Sequence, residues 1–208
     1  MSIDQWIALG LFAFVSSITP GPNNLMATAS GARFGLRRTI PQVAGVTFGF
    51  TVLLWLAASG VAIVVVEHPM IGDTLAVIGY AYLGWLSFKL VAAAFGASGG
   101  AGKKEAGLRP LTFWQATAFQ FANPKGVMMA LSTATTFLTG PRQSLIAIVA
   151  VGLVFAMINF PCVGAWALMG ARLRGWLDDA SAAWRMRAFN AVMGALLIAT
   201  VIWMITLR

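Results

Sequence analysis

Six apolar stretches, each near or beyond the roughly 20 residues a helix needs to cross a bilayer, fill most of this chain. They cover about 5–32, 39–66, 72–95, 113–138, 144–171 and 188–207. With 59% hydrophobic and only 10% charged residues, the chain lies outside the usual soluble range of about 45–50% apolar and about 25% charged. A soluble fold has no interior large enough for this surface, but a bilayer can cover it. The expected class is therefore all-α integral membrane, with a single transmembrane domain over residues 1–208. Met1 to Asp4 carry no basic side chain. A leader needs a positive start, so residues 5–18 read as the beginning of a retained helix.

The formal net charge is +8. On a soluble protein that balance suggests nucleic acid. Here the cations sit between the apolar stretches, where they orient the chain and meet anionic lipid headgroups; nucleic acid is not an expected partner. Odd-numbered connectors hold Arg33, Arg37 and Arg38, then Lys89, Lys103, Lys104 and Arg109, then Arg172, Arg174, Arg185 and Arg187. The other side holds only Arg142 and Arg208. The asymmetry predicts cytoplasmic odd connectors and both termini outside. Trp6, Trp114, Trp176, Trp184 and Trp203 fall near predicted helix ends, where aromatic belts form, whereas Trp55, Trp85 and Trp166 read as deeper packing residues. Cys162 is the sole cysteine, so no intrachain disulfide can form.

Two stretches are interrupted. The first contains Thr19-Pro20-Gly21-Pro22-Asn23-Asn24 and the fourth contains Asn123-Pro124-Lys125-Gly126. Proline within a membrane helix removes a backbone hydrogen bond, tolerated where the freed groups line a cavity or meet protein donors. Pro20 and Pro124 stand half a chain length apart, each after a small polar residue and each in the first helix of a three-helix half. Three spans per half force the second half to be inverted. The expected architecture is six transmembrane helices as two inverted three-helix repeats, with the first and fourth helices broken at Pro. Repeat 1 covers about 1–95, a flexible Gly/Ser/Lys linker about 96–110 and repeat 2 about 111–208.

The breaks carry the chemistry. A helix restarting at Pro22 presents free N–H groups and a positive dipole end, a setting for a carboxylate. Lys125 is the one formally charged side chain deep within a predicted span. A lysine there costs about 2.5–3.5 kcal/mol on insertion scales and signals function by default. It is a candidate carboxylate ligand and a candidate proton-coupling group. The expected substrate-binding residues are Thr19, Pro20, Gly21, Pro22, Asn23, Asn24, Gln120, Asn123, Pro124 and Lys125. Ser16, Ser17, Gln42, Thr47, Asn159 and Asn190 are further neutral polar candidates, each alone more consistent with interhelical hydrogen bonding. Gly45 and Gly49 form a GxxxG pair suited to close packing. No Asp or Glu lies deep in a predicted span, which disfavours a cationic substrate. His68 and Asp73 match an acyltransferase HxxxxD spacing, but in a short connector that reads as chance. No GxSxG motif is present and no His lies within a span. The expectation is no enzyme, no cofactor and no metal.

The whole pattern resembles the LysE/RhtB family of amino-acid exporters. The resemblance rests on Thr19-Pro20-Gly21-Pro22-Asn23-Asn24, Gly31 to Arg38, Ala44 to Gly49, Ala81 to Leu86, and Phe113-Trp114 with Phe119 to Lys125. Asn23-Asn24 and the Phe119–Lys125 run are most similar to the cysteine/O-acetylserine exporter branch. The resemblance implies a secondary transporter in a bacterial inner membrane. It would export small neutral amino acids of the cysteine/O-acetylserine or threonine/homoserine type, with protons as coupling ion. A homo-oligomer is compatible with it. A membrane channel and a non-transporting membrane scaffold are the alternatives.

Overall fold

In hydrocarbon every backbone N–H and C=O must find a partner within the protein, which makes apolar segments helical. The computed structural model describes residues 1–60, 68–95, 110–138 and 144–206. Among them are eight α-helices and no strand: α1 (Ile3–Ile18), α2 (Pro22–Phe34), α3 (Leu36–Ala58), α4 (Pro69–Phe95), α5 (Phe113–Ala122), α6 (Pro124–Phe137), α7 (Leu145–Leu177) and α8 (Trp184–Thr206). A single 3-10 turn, Ala180–Ala182, precedes α8. Helices α3, α4, α7 and α8 are each long and apolar enough to cross a bilayer. The pair α1–α2, bent by 53°, makes a fifth candidate if taken as one span. The sixth expected span is divided between α5, with 10 residues, and α6, with 14. At about 1.5 Å per residue neither crosses about 30 Å of hydrocarbon alone.

Three boundaries differ from the sequence expectation. Helix α3 ends at Ala58 instead of near residue 66, because Ser59 and Gly60 form a turn in which Gly60 adopts φ 86°, a conformation open to glycine. Helix α4 starts at Pro69, which places Asp73 inside a helix rather than in a connector. Helix α7 runs unbroken through Pro161 for 33 residues. The expected 96–110 linker, apart from Pro110, lies outside the described residues, as do Glu67, Arg142 and Arg208.

The bundle is organised around α7 and α3. Helix α2 lies along α7, α5 along α3, α1 along α7, and α4 pairs with α8. Small residues set the closest approaches. A Cβ at Gly31 would overlap the Ala167 carbonyl, and one at Gly170 the Thr28 carbonyl, so α2 and α7 meet backbone to backbone. Gly45 and Gly49 do the same for α3 against Phe113 and Thr117 of α5. The Thr117 hydroxyl donates to the Gly45 carbonyl at 3.1 Å. An apolar core of Leu9, Phe50, Leu54, Val151 and Phe155 joins α1, α3 and α7, while Leu25, Leu83, Phe119 and Leu197 join α2, α4, α5 and α8. The outer faces stay apolar: Ile3, Leu11, Phe88 and Ile146 are exposed, as a lipid-facing surface requires. Trp85, expected as packing, is half exposed on α4 with Lys89 Nζ 4.2 Å from its ring centroid.

Two of the basic connectors, α2–α3 and α7–α8, meet at one end. A Cβ at Gly35, between α2 and α3, would lie 3.2 Å from Arg174 near the end of α7. Arg174 pairs with Asp178 at 3.2 Å and Arg185 with Asp179 at 3.0 Å. Hydrogen bonds from the Ser181 hydroxyl and amide hold the Asp179 carboxyl below the usual carboxylate range.

Candidate functional site

Helix α1 stops because Pro20 has no N–H to continue the ladder and Pro22 starts a new helix. The break leaves a row of carbonyls, and each has a donor. Ser16 O accepts from the Thr19 hydroxyl at 3.1 Å. Ser17 O and Thr19 O both accept from the Asn24 amide at 2.8 Å. Ile18 O accepts from the Trp166 indole N–H at 2.9 Å. Lys125 Nζ donates to Thr19 O and Thr19 Oγ1 at 3.1 Å and to Pro20 O at 3.3 Å. The end of α1 is thus held by α2, α6 and α7 together. Trp166, expected as a packing residue, seals the break. The signal was there, since a buried indole N–H needs an acceptor. Trp166→Phe keeps the ring bulk and strips the donor from Ile18 O. It is expected to cost about 1–3 kcal/mol, read as a lower thermal unfolding midpoint of the purified protein.

The restarted helices are treated differently. Both α2 and α6 begin with Pro at the first position, and neither has a side-chain cap. Leu25 N and Val127 N close the first turns onto Gly21 O and Asn123 O. No acceptor among the described residues reaches the N–H groups of Asn23, Asn24, Lys125 or Gly126. These four donors therefore sit at two positive dipole ends. Gly21, Pro22, Asn23, Asn24, Asn123, Lys125 and Gly126 all line one small cavity of about 20 Å³, together with Ser17 and Asn159. That is room for about one water. The Asn123 carboxamide oxygen is buried there without a hydrogen-bond partner.

All ten expected binding residues gather at the two breaks, in different roles. Asn23 and Gln120 exchange amide hydrogen bonds across the halves, at 2.8 and 3.1 Å, and Gln120 is fully buried. Asn24 turns back onto α1. Thr19 and Pro20 are exposed. Gly21 admits Lys125, whose Nζ lies 3.0 Å from where a Cβ would be. Ser17, Asn159 and Thr47 form a chain joining α1, α7 and α3, at 3.1 and 3.0 Å. Gln42 and Asn190 are buried elsewhere.

A second cavity, of about 720 Å³, meets the first at Ser16 and Lys125. It runs between α1, α3 and α6 on one side and α4 and α8 on the other, reaching Ala57, Gly72, Asp73 and Trp203. Those residues lie at the helix ends remote from the arginine-rich connectors. Ser16, Asp73, Lys125, Tyr80 and Ser132 are its polar lining residues, and the rest of the wall is mainly apolar.

Broken helices meeting at a half-buried lysine, with an adjoining cavity, are the parts of a transporter. The LysE type translocator profile matches residues 14–206. The chain belongs to this family. It is a membrane transporter and not an enzyme. A cysteine/O-acetylserine efflux protein of Escherichia coli K12 is 31% identical over 165 residues, covering 78% of this chain and 80% of the relative. One of Salmonella typhimurium is 30% identical over 163 residues, with the same coverage. No solved structure matches the chain. The translocator's matched region contains both breaks, Trp166 and Lys125.

Proposed function

We propose that this translocator exports small neutral amino acids, of the cysteine/O-acetylserine or threonine/homoserine type, from the cytoplasm, driven by the proton motive force. One observation carries the reading. Two uncapped helix N-termini and the Lys125 ammonium face one cavity, beside the carbonyl-rich end of α1. A zwitterion needs those two poles: donors for its carboxylate, acceptors for its ammonium. The Lys125 ammonium, the free N–H groups and the Asn123 carboxamide oxygen supply them. Since the small cavity has room for about one water, substrate entry requires Lys125 to leave Thr19 and Pro20. Non-helical backbone at membrane depth is tolerated where it lines a cavity, and the larger cavity adjoins the break at Ser16 and Lys125. The names of the related efflux proteins favour cysteine and O-acetylserine.

The inverted-repeat reading has support in paired details. Helices α1 and α5 both open with a capping box, Ser2 with Gln5 and Thr112 with Gln115. Helices α2 and α6 both open with an uncapped Pro. Helix α1 lies along α7 as α5 lies along α3. Purified protein in vesicles is expected to accumulate labelled cysteine or O-acetylserine against its gradient, which a channel cannot do, and to move lysine poorly. Selective lysine transport would overturn the substrate assignment. For orientation, reporter fusions should place residues 96–110 inside and the C-terminus outside. A cytoplasmic C-terminus would sink the proposed topology.

A further inference from the structure

The cavity of about 720 Å³ is far larger than a small amino acid needs, and falls in the range of about 300–1,000 Å³ typical of small-molecule sites. Its inner end holds Lys125 and Ser16, and the small cavity shares both. Met129 stands at the inner end too, and the further walls include Phe12, Leu53, Ala76 and Met128. Methionines adapt their shape to varied apolar occupants. A carboxylate held at Lys125 directs the rest of its molecule along this wall. We infer that the translocator also carries amino acids with large apolar side chains, of the leucine, methionine and phenylalanine type, with the side chain seated in this cavity. The inference rests on the proposed role of Lys125 as carboxylate ligand and extends the substrate range beyond the small neutral class. Charged side chains find no paired partner at the inner end, where Lys125 is the one charged group; Asp73 lies at the outer end.

The test uses the full chain in lipid vesicles, with exchange of labelled phenylalanine, leucine, cysteine and glycine each measured separately. An apolar pocket discriminates by about tenfold or more per methylene or so. Phenylalanine and leucine are therefore expected to half-saturate at concentrations at least about tenfold below glycine. Ala76→Phe narrows the cavity and is expected to raise the phenylalanine value about tenfold relative to glycine. Should that variant not fold, thermal unfolding of the wild-type protein decides: phenylalanine should raise its midpoint more than equimolar glycine does. Equal behaviour of phenylalanine and glycine in the wild type, or an equal shift of both in Ala76→Phe, would overturn the inference. Cysteine exchange without phenylalanine exchange defeats this inference alone. Phenylalanine exchange without cysteine exchange upholds it and defeats the small-substrate reading.

Discussion

Lys125→Met is expected to abolish transport while leaving the protein folded in the membrane. Two effects on stability oppose each other. Loss of the charge relieves an insertion cost of about 2.5–3.5 kcal/mol. Loss of the donor removes the hydrogen bond to the exposed Pro20 O, worth about 0.5–1.5 kcal/mol. Thr19 O keeps its bond from Asn24. The balance is slightly favourable. Transport has no such compensation: removing one partner of a desolvated charge pair costs about 2–5 kcal/mol, a loss of roughly thirtyfold or more in carboxylate affinity. Lys125→Arg should rescue only in part, because the guanidinium is larger and forks its donors, and Gly21 leaves space fitted to the lysine stem. A binding role predicts that both uphill transport and exchange disappear in Lys125→Met. A proton-coupling role predicts that exchange survives while proton-driven accumulation is lost. Wild-type rates of both, at equal expression, would show that Lys125 serves only to hold the end of α1.

Asn24→Leu is expected to destabilise the protein more than it alters substrate preference. The side chain is buried, and both its amide hydrogens are engaged by Ser17 O and Thr19 O. Leucine preserves the volume but leaves Ser17 O with no donor, at about 1–3 kcal/mol. For a chain of this length that corresponds to roughly 2–12 °C in the thermal midpoint. This exceeds the average interhelical hydrogen bond of about 0.6 kcal/mol, because the other donors at the broken end are engaged by Ser16 O, Ile18 O, Thr19 O and Pro20 O. An unchanged midpoint with lost transport would instead assign Asn24 directly to the substrate.

The two helix breaks and the residues beside them were legible in the sequence; their pairing was not. Pro20, Pro22 and Pro124 announce breaks because an absent N–H is a local property. Lys125 announces itself because a charge among apolar residues is costly whatever surrounds it. The apolar stretches and the one-sided basic connectors follow from composition in the same way. Adjacent Asn23 and Asn24, by contrast, differ only in where their helix rotates them. One reaches Gln120 on α5, and the other turns back onto the end of α1.

Sequence alone thus determined that this chain is helical, embedded in a membrane and interrupted at two points, since those outcomes depend on each segment's own hydrophobicity and backbone chemistry. Tertiary structure decided which donors close the broken end of α1. Trp166 comes from 148 residues away and Lys125 from 106. It also decided that Trp85 faces outward and that a cavity of about 720 Å³ opens beside Lys125, lined from α1, α3, α4, α6 and α8. Each of these depends on how helices turn and approach one another. Those approaches are set by backbone contacts at glycines such as Gly31, Gly45 and Gly170, where the shape of one helix acquires meaning only against its neighbour.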